Sequence, residues 1–185
     1  MKSLMWITLA ASVLAAGAYA QSTEVGKRSE NQQGRIAQGV KSGSLTAGET
    51  SNLESKESAI HQEVKTDRSL NGGHLTGQEK TIVNRQQNQM SKQIYNDKHN
   101  AAKQNFGSSE VGKRQENQQD RIANGISSGK LNAKQASNLE KGESSINQEV
   151  RTDRKLNGGK LSGAEKKQVN RQQNRISQRI YKAKH

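Results

Sequence analysis

The chain has 185 residues, a formal net charge of +13 from 30 Lys and Arg against 17 Asp and Glu, and neither Cys nor Pro. The missing cysteine excludes thiol catalysis, thiolate metal sites and disulfide stapling. The missing proline favours long unbroken helices. Hydrophobic residues make up 29 % and the mean hydropathy is −1.07, close to the border below which a chain cannot bury enough apolar surface to order itself.

Residues 1–20 read as a cleaved signal peptide. Met1-Lys2 is a short positive start, Leu4 to Gly17 an apolar run, and Ala18-Tyr19-Ala20 a small-x-small cleavage site. The run is short of the ~20 apolar residues a bilayer span needs. The expectation is a periplasmic or secreted protein with no transmembrane span after cleavage.

The remainder is a tandem repeat, which fixes the organisation before any propensity argument. Residues 22–99 and 108–185 align without a gap at an offset of 86, with 50 of 78 pairs identical. Residues 100–107 form the linker. The first repeat carries 11 Lys and Arg against 9 Asp and Glu, the second 17 against 8. The second repeat is therefore a basic body and the first is nearly neutral.

Three helices are expected in each repeat. The first runs from Glu24 to about Val40 and stops at Ser42-Gly43, where glycine suits a left-handed cap. Thr46 to Glu49 has the spacing of a capping box, which opens a second helix at Ala47 running to Thr66 or beyond. Asn71-Gly72-Gly73 breaks it. A second box, Thr76 to Glu79, opens a third helix ending near Lys98. In the second repeat the boxes are Asn132 to Gln135 and Ser162 to Glu165. The spacing of Val83, Gln87, Met90 and Ile94 is a coiled-coil-like seam, narrower than a broad globular face. Only 13 clearly apolar residues in the first repeat, Leu70 and Ile82 among them, and 12 in the second support the core. The fold class expected is all-α: two tandem copies of a three-helix unit with a thin core, gaining stability from the sister copy, self-association or a ligand.

The Gly-x-Leu-Thr-x-x-Glu unit begins at Gly43 and Gly73, and in degenerate form at Gly129 and Gly159. It resembles the back half of an EF-hand loop, in which glycine makes the turn and the last glutamate is a bidentate calcium ligand. With the endings Ile94-Tyr95 to Lys98-His99 and Ile180-Tyr181 to Lys184-His185, the pattern also resembles a group of exported proteobacterial helical repeat proteins with degenerate EF-hand-like turns. That resemblance implies a fold, not an activity. Carried over residue by residue, the EF-hand loses its early ligands: the equivalents of positions 1, 3 and 5 are Gln38, Val40 and Ser42 in one loop and Arg68, Leu70 and Gly72 in another. The metal candidates are Glu49, Glu79, Glu165, Asp67 and Asp153, for calcium if for any ion. The same Thr and Glu are explained without metal as helix caps. His61, His74, His99 and His185 are the candidates for a transition metal.

The clusters Asn31-Gln32-Gln33 and Gln86-Gln87-Asn88 recur unchanged and read as buried amide ladders fixing helix register, with binding of sugar hydroxyls as the alternative. No cysteine, no phosphate loop after a strand and no His-Asp-Ser set present in both repeats argue against an enzyme. Three aromatics after residue 20 are too few for a nucleic-acid stacking platform. The function expected is a non-catalytic exported helical protein whose basic second repeat binds anionic envelope or extracellular polymers. The residues for it are Arg151, Arg154, Lys155, Lys160, Lys166, Lys167, Arg171, Arg175 and Arg179. The alternatives are degenerate EF-hand-like calcium binding and a hydrophilin-like stress protectant. No cofactor is expected otherwise.

Overall fold

The computed structural model describes residues 24–185, so the signal-peptide reading lies outside the described residues. Six helices follow one another: α1 Glu24–Lys41, α2 Ala47–Leu70, α3 Gly77–His99, α4 Glu110–Ser127, α5 Ala133–Leu156 and α6 Gly163–Lys184. No strand occurs among the described residues, and none of these helices is long and apolar enough to cross a membrane.

The helix starts follow from side-chain capping. Thr46, Thr76, Asn132 and Ser162 each accept from the backbone N–H three residues on, and Glu49, Glu79, Gln135 and Glu165 accept in return from the cap's own N–H. Two orphan donors are thereby satisfied at each start. The stops use glycine: Gly43 and Gly129 both take φ 67°, a region where a Cβ would be strained. Two residues on, Leu45 folds back onto the helix it has just left. A Cβ at Gly39 would lie 2.6 Å from Leu45 Cγ and Cδ1, and Leu131 sits on Gly125 in the same way. This explains why a glycine recurs inside α1 and α4 despite its poor helix propensity.

The most extensive helix contact is α2 on α5, followed by α1 on α4; α3 packs on α1 and α2, and α6 on α4 and α5. Across α2–α5 the Ser51 hydroxyl donates to Ser137 O (3.1 Å) and the Ser137 hydroxyl to Ser51 O (3.0 Å), so the two backbones approach closely. The apolar residues form separate clusters, around Ile36, Leu45, Leu53 and Ile94, around Ile60, Val64 and Val83, and around Ile122, Leu131, Leu139 and Ile180. The buried residues of α3 are Val83, Gln87, Met90 and Ile94, the seam expected from the sequence. Three of the residues counted toward the core are not in it. Leu70 and its counterpart Leu156 are each 77 % exposed at the ends of α2 and α5, and Ile82 is 42 % exposed.

The recurring Gln residues are buried and stitch helices together, though not as ladders of paired amides. Gln32 Nε2 donates to Gln87 O (2.7 Å) and Gln87 Nε2 to Val25 O (2.9 Å). Gln118 and Gln173 repeat both bonds at 2.7 and 2.9 Å. Each amide thus bonds a backbone carbonyl of the facing helix, which locks the register of α1 on α3 and of α4 on α6.

Candidate functional site

The acidic residues of the turns are committed to helix starts. Glu79 accepts from Thr76 N (2.7 Å) and from Asn71 Nδ2 (2.9 and 3.0 Å); Glu165 accepts from Ser162 N (2.7 Å) and Asn157 Nδ2 (2.8 and 2.9 Å). The backbone N–H at each cap holds these carboxyls below their ordinary value. Asp67 and Asp153 sit beside them. Partial desolvation and then repulsion from Glu79 and Glu165 push the aspartates up. Glu49 caps a different turn, with Asn100 Nδ2 on its other oxygen at 2.6 Å. The five are thus spread over three turns, and among the described residues no three His, Cys, Asp or Glu side chains converge on a point that could hold a metal ion.

Of the histidines, His99 and His185 stack on Tyr95 and Tyr181 of the preceding turn, with ring centroids 4.2 and 4.4 Å apart. His61 does more. Its Nε2 lies 2.5 Å from Ser29 Oγ and 3.2 Å from Glu57 Oε1, and Ser29 Oγ also donates to Glu57. A Ser, a His and a Glu therefore meet in the first repeat only. Ser29 and Glu57 share one ring nitrogen, whereas a catalytic triad needs the acid on the opposite nitrogen. Gln115 and Asn147 replace Ser29 and His61 in the second repeat, bonded at 2.6 Å.

Glu57 belongs to a buried acidic layer. Glu54 and Glu57 of α2 and Glu140 and Glu143 of α5 are all 0 % exposed. Gln33 donates to Glu54 at 3.0 Å and Gln119 to Glu140 at 2.8 Å, while both carboxylate oxygens of Glu143 lack a partner. Burial is the main cause pushing Glu54 and Glu143 up to about 8 and Glu140 well above its ordinary value. These carboxyls are then largely neutral at pH 7, since an isolated buried carboxylate is costlier than a protonated one. The sequence carries part of this signal, because Glu57 falls between Leu53, Ile60 and Val64 on the apolar strip of α2. Glu54 and the pairing with α5 carry none.

The basic residues are on the opposite kind of surface. Arg154, Lys160 and Lys166 line a cavity of about 340 Å³ at the start of α4, together with Ser109, Glu110 and Asn170. Arg154 Nη2 donates to Ser109 Oγ (2.9 Å), the same oxygen that caps α4 by accepting from Gly112 N (3.2 Å). Lys167, Arg171, Arg175 and Arg179 are all exposed and follow at four-residue intervals along α6. The corresponding residues of α3 are Thr81, Arg85, Gln89 and Gln93. Arg179 reaches Asn138 O (3.3 Å). Arg151 and Lys155 are exposed near the end of α5, outside the cavity lining. Among the described residues, none of the nine candidates is ion-paired with an Asp or Glu. Comparison with protein-family models, with curated proteins and with solved structures gives no match.

Proposed function

We propose that the chain is a non-catalytic, exported protein of two tandem three-helix units, which binds anionic polymers through α6 and the cavity at the start of α4. The observation that carries this reading is the row Lys167, Arg171, Arg175 and Arg179, exposed along α6 and without acidic partners among the described residues. Surface cations left unpaired concentrate polyanions by a field that salt screens. The buried acids strengthen it: with Glu140 and Glu143 held largely protonated, the second repeat presents fewer negative charges than its composition suggests. Arg154, Lys160 and Lys166 add a concave point where a phosphate, sulfate or carboxylate would meet three cations. The binding is of charge and spacing, so the polymers are envelope or extracellular ones such as lipopolysaccharide or acidic glycans.

The test is heparin and lipopolysaccharide binding at low and high salt. A variant carrying the first repeat's residues on α6, Lys167→Thr, Arg175→Gln and Arg179→Gln, keeps the fold because those side chains already stand at equivalent places on α3. Binding that collapses with salt and weakens at least tenfold in the variant supports the reading. Retention that ignores salt, or a variant that binds as before, overturns it.

A further inference from the structure

The turns that open α2 and α5 are equivalent at the offset of 86, yet among the described residues only one of them is covered. The linker lies over the first. Gln104 N–H donates to Gly43 O at 2.9 Å, and the Gln104 side-chain Oε1 accepts from Ala47 N at 3.3 Å. The linker then crosses the start of α4, where the Phe106 carbonyl oxygen fills the place of a Cβ on Gly112. Over the second turn no described residue takes the linker's place. Among the described residues nothing lies within 4 Å of a Cβ placed on Gly129. Gly129 O and Ala133 N, the equivalents of the two groups the linker satisfies, have no hydrogen-bond partner among the described residues.

A cavity of about 590 Å³ occupies that position, with Ser29, Gly34 and His61 on one side and Gly129, Asn132 and Ala133 on the other. At the offset of 86 the repeat equivalents of Ser29, Gly34 and His61 are Gln115, Asp120 and Asn147. The smaller Ser29 and Gly34 leave the open site roomier, and the Ser29–His61 pair gives it a polar wall that can donate or accept.

We propose that this cavity binds an extended peptide of a partner protein, held as the linker is held by its twin. A main-chain N–H of the peptide meets Gly129 O, and a side-chain oxygen of a Gln, Asn or acidic residue meets Ala133 N–H. Ala133 is the first residue of α5 after the Asn132 cap, so its N–H belongs to the orphan donors of a helix start and suits a polar or negatively charged acceptor. The covered twin shows that this donor and acceptor, at this spacing, hold an extended segment of the same backbone.

The probe is the linker sequence as a free peptide, Asn-Ala-Ala-Lys-Gln-Asn-Phe-Gly, titrated into the isotope-labelled chain beginning at Gln21 and followed by NMR. A tethered segment is present at an effective concentration of order mM, so the titration extends into that range. Saturable shifts centred on Gly129, Ala133, Ser29 and His61 are expected. Ala133→Pro removes the donor without disturbing the fold: proline is favoured at the first helical residue, and Asn132 has the extended backbone (ψ 164°) a residue before proline requires. Affinity falls about tenfold or more in this variant, as expected for losing one well-made hydrogen bond. A peptide with Leu for Gln weakens similarly, and the two changes together cost little more than either. Absence of saturable shifts at Gly129–Ala133, or an Ala133→Pro variant that binds as before with an unchanged melt, overturns the proposal. So does binding by the chain from Gln21 but not by the uncut chain, which would assign the cavity to residues ahead of α1.

Discussion

Glu54 and Glu140, separated by 86 residues, are both fully buried and face each other across the contact of α2 with α5, where a charge on Glu54 would make Glu140 hold its proton more tightly. Stability should therefore depend on pH in an unusual direction. Glu54 and Glu143 have an ordinary value of 4.5 and are pushed up to about 8, so between those values the folded chain holds protons that the unfolded chain has released. Stability is complete below about pH 4.5 as far as these groups are concerned, and it falls as pH rises through 8. Each shift corresponds to on the order of 5 kcal/mol across the window. The side chains bonded to the layer are Gln33, Gln119, Ser29 and His61. Urea melts at pH 5, 7 and 9 should show the midpoint dropping throughout. A midpoint that rises toward pH 9 would contradict the assignment.

Glu140→Gln tests the same layer by chemistry. The amide keeps the shape, cannot ionise, and leaves Glu54 and Glu143 without one repelling partner. The variant should match the parent near pH 5 and exceed it at pH 9, with a shallower slope between. Glu140→Leu should lose the bond from Gln119, whose buried amide then lacks its acceptor at a cost of about 1–3 kcal/mol. The comparison of Gln with Leu at pH 5 separates the hydrogen bond from the charge.

Gly39→Ala sets two effects against each other. Alanine gains about 1 kcal/mol of helix propensity over glycine in a helix interior. Its Cβ, however, would lie 2.6 Å from Leu45 Cγ and Cδ1, and Leu45 is 0 % exposed with no free direction to move. Overpacking of this kind costs about 1–3 kcal/mol. The prediction is a net loss, with the same sign for Gly125→Ala under Leu131. Gly34→Ala has nothing within 4 Å and should be neutral or stabilising, which makes it the control. Thermal melts of the three variants decide the matter.

Local order was legible in the sequence where neighbours in the chain determine it. The caps at Thr46, Thr76, Asn132 and Ser162 and the buried set Val83, Gln87, Met90 and Ile94 follow from spacings of three and four residues. What depends on the meeting of the two repeats was not. Glu54 reads as a solvent-facing charge until α5 is laid against α2, and Leu70 reads as core until it is seen exposed at the end of α2. The Ser29–His61–Glu57 meeting needs α1 on α2, so a search for residues common to both repeats passes over it. Lys160 and Lys166 were visible as charges, but their convergence with Arg154 at the head of α4 was not.

Thr76→Ala and Ser162→Ala complete the set, because they separate capping from any ion-binding role of the same turns. Each deletes the oxygen that accepts from Glu79 N or Glu165 N at 3.3 Å, leaving the glutamate itself in place. Loss of a Ser or Thr cap costs about 0.5–2 kcal/mol. Glu79→Gln keeps an acceptor for Thr76 N but removes the charge that favours a helix start, so it should cost less than losing the cap. If the turns act as caps, these losses are the same with and without millimolar calcium, and hydrogen exchange quickens only in the first turn of α3 or α6. A calcium-dependent difference between Glu79→Gln and the parent would show that the carboxylate has a second role at that turn.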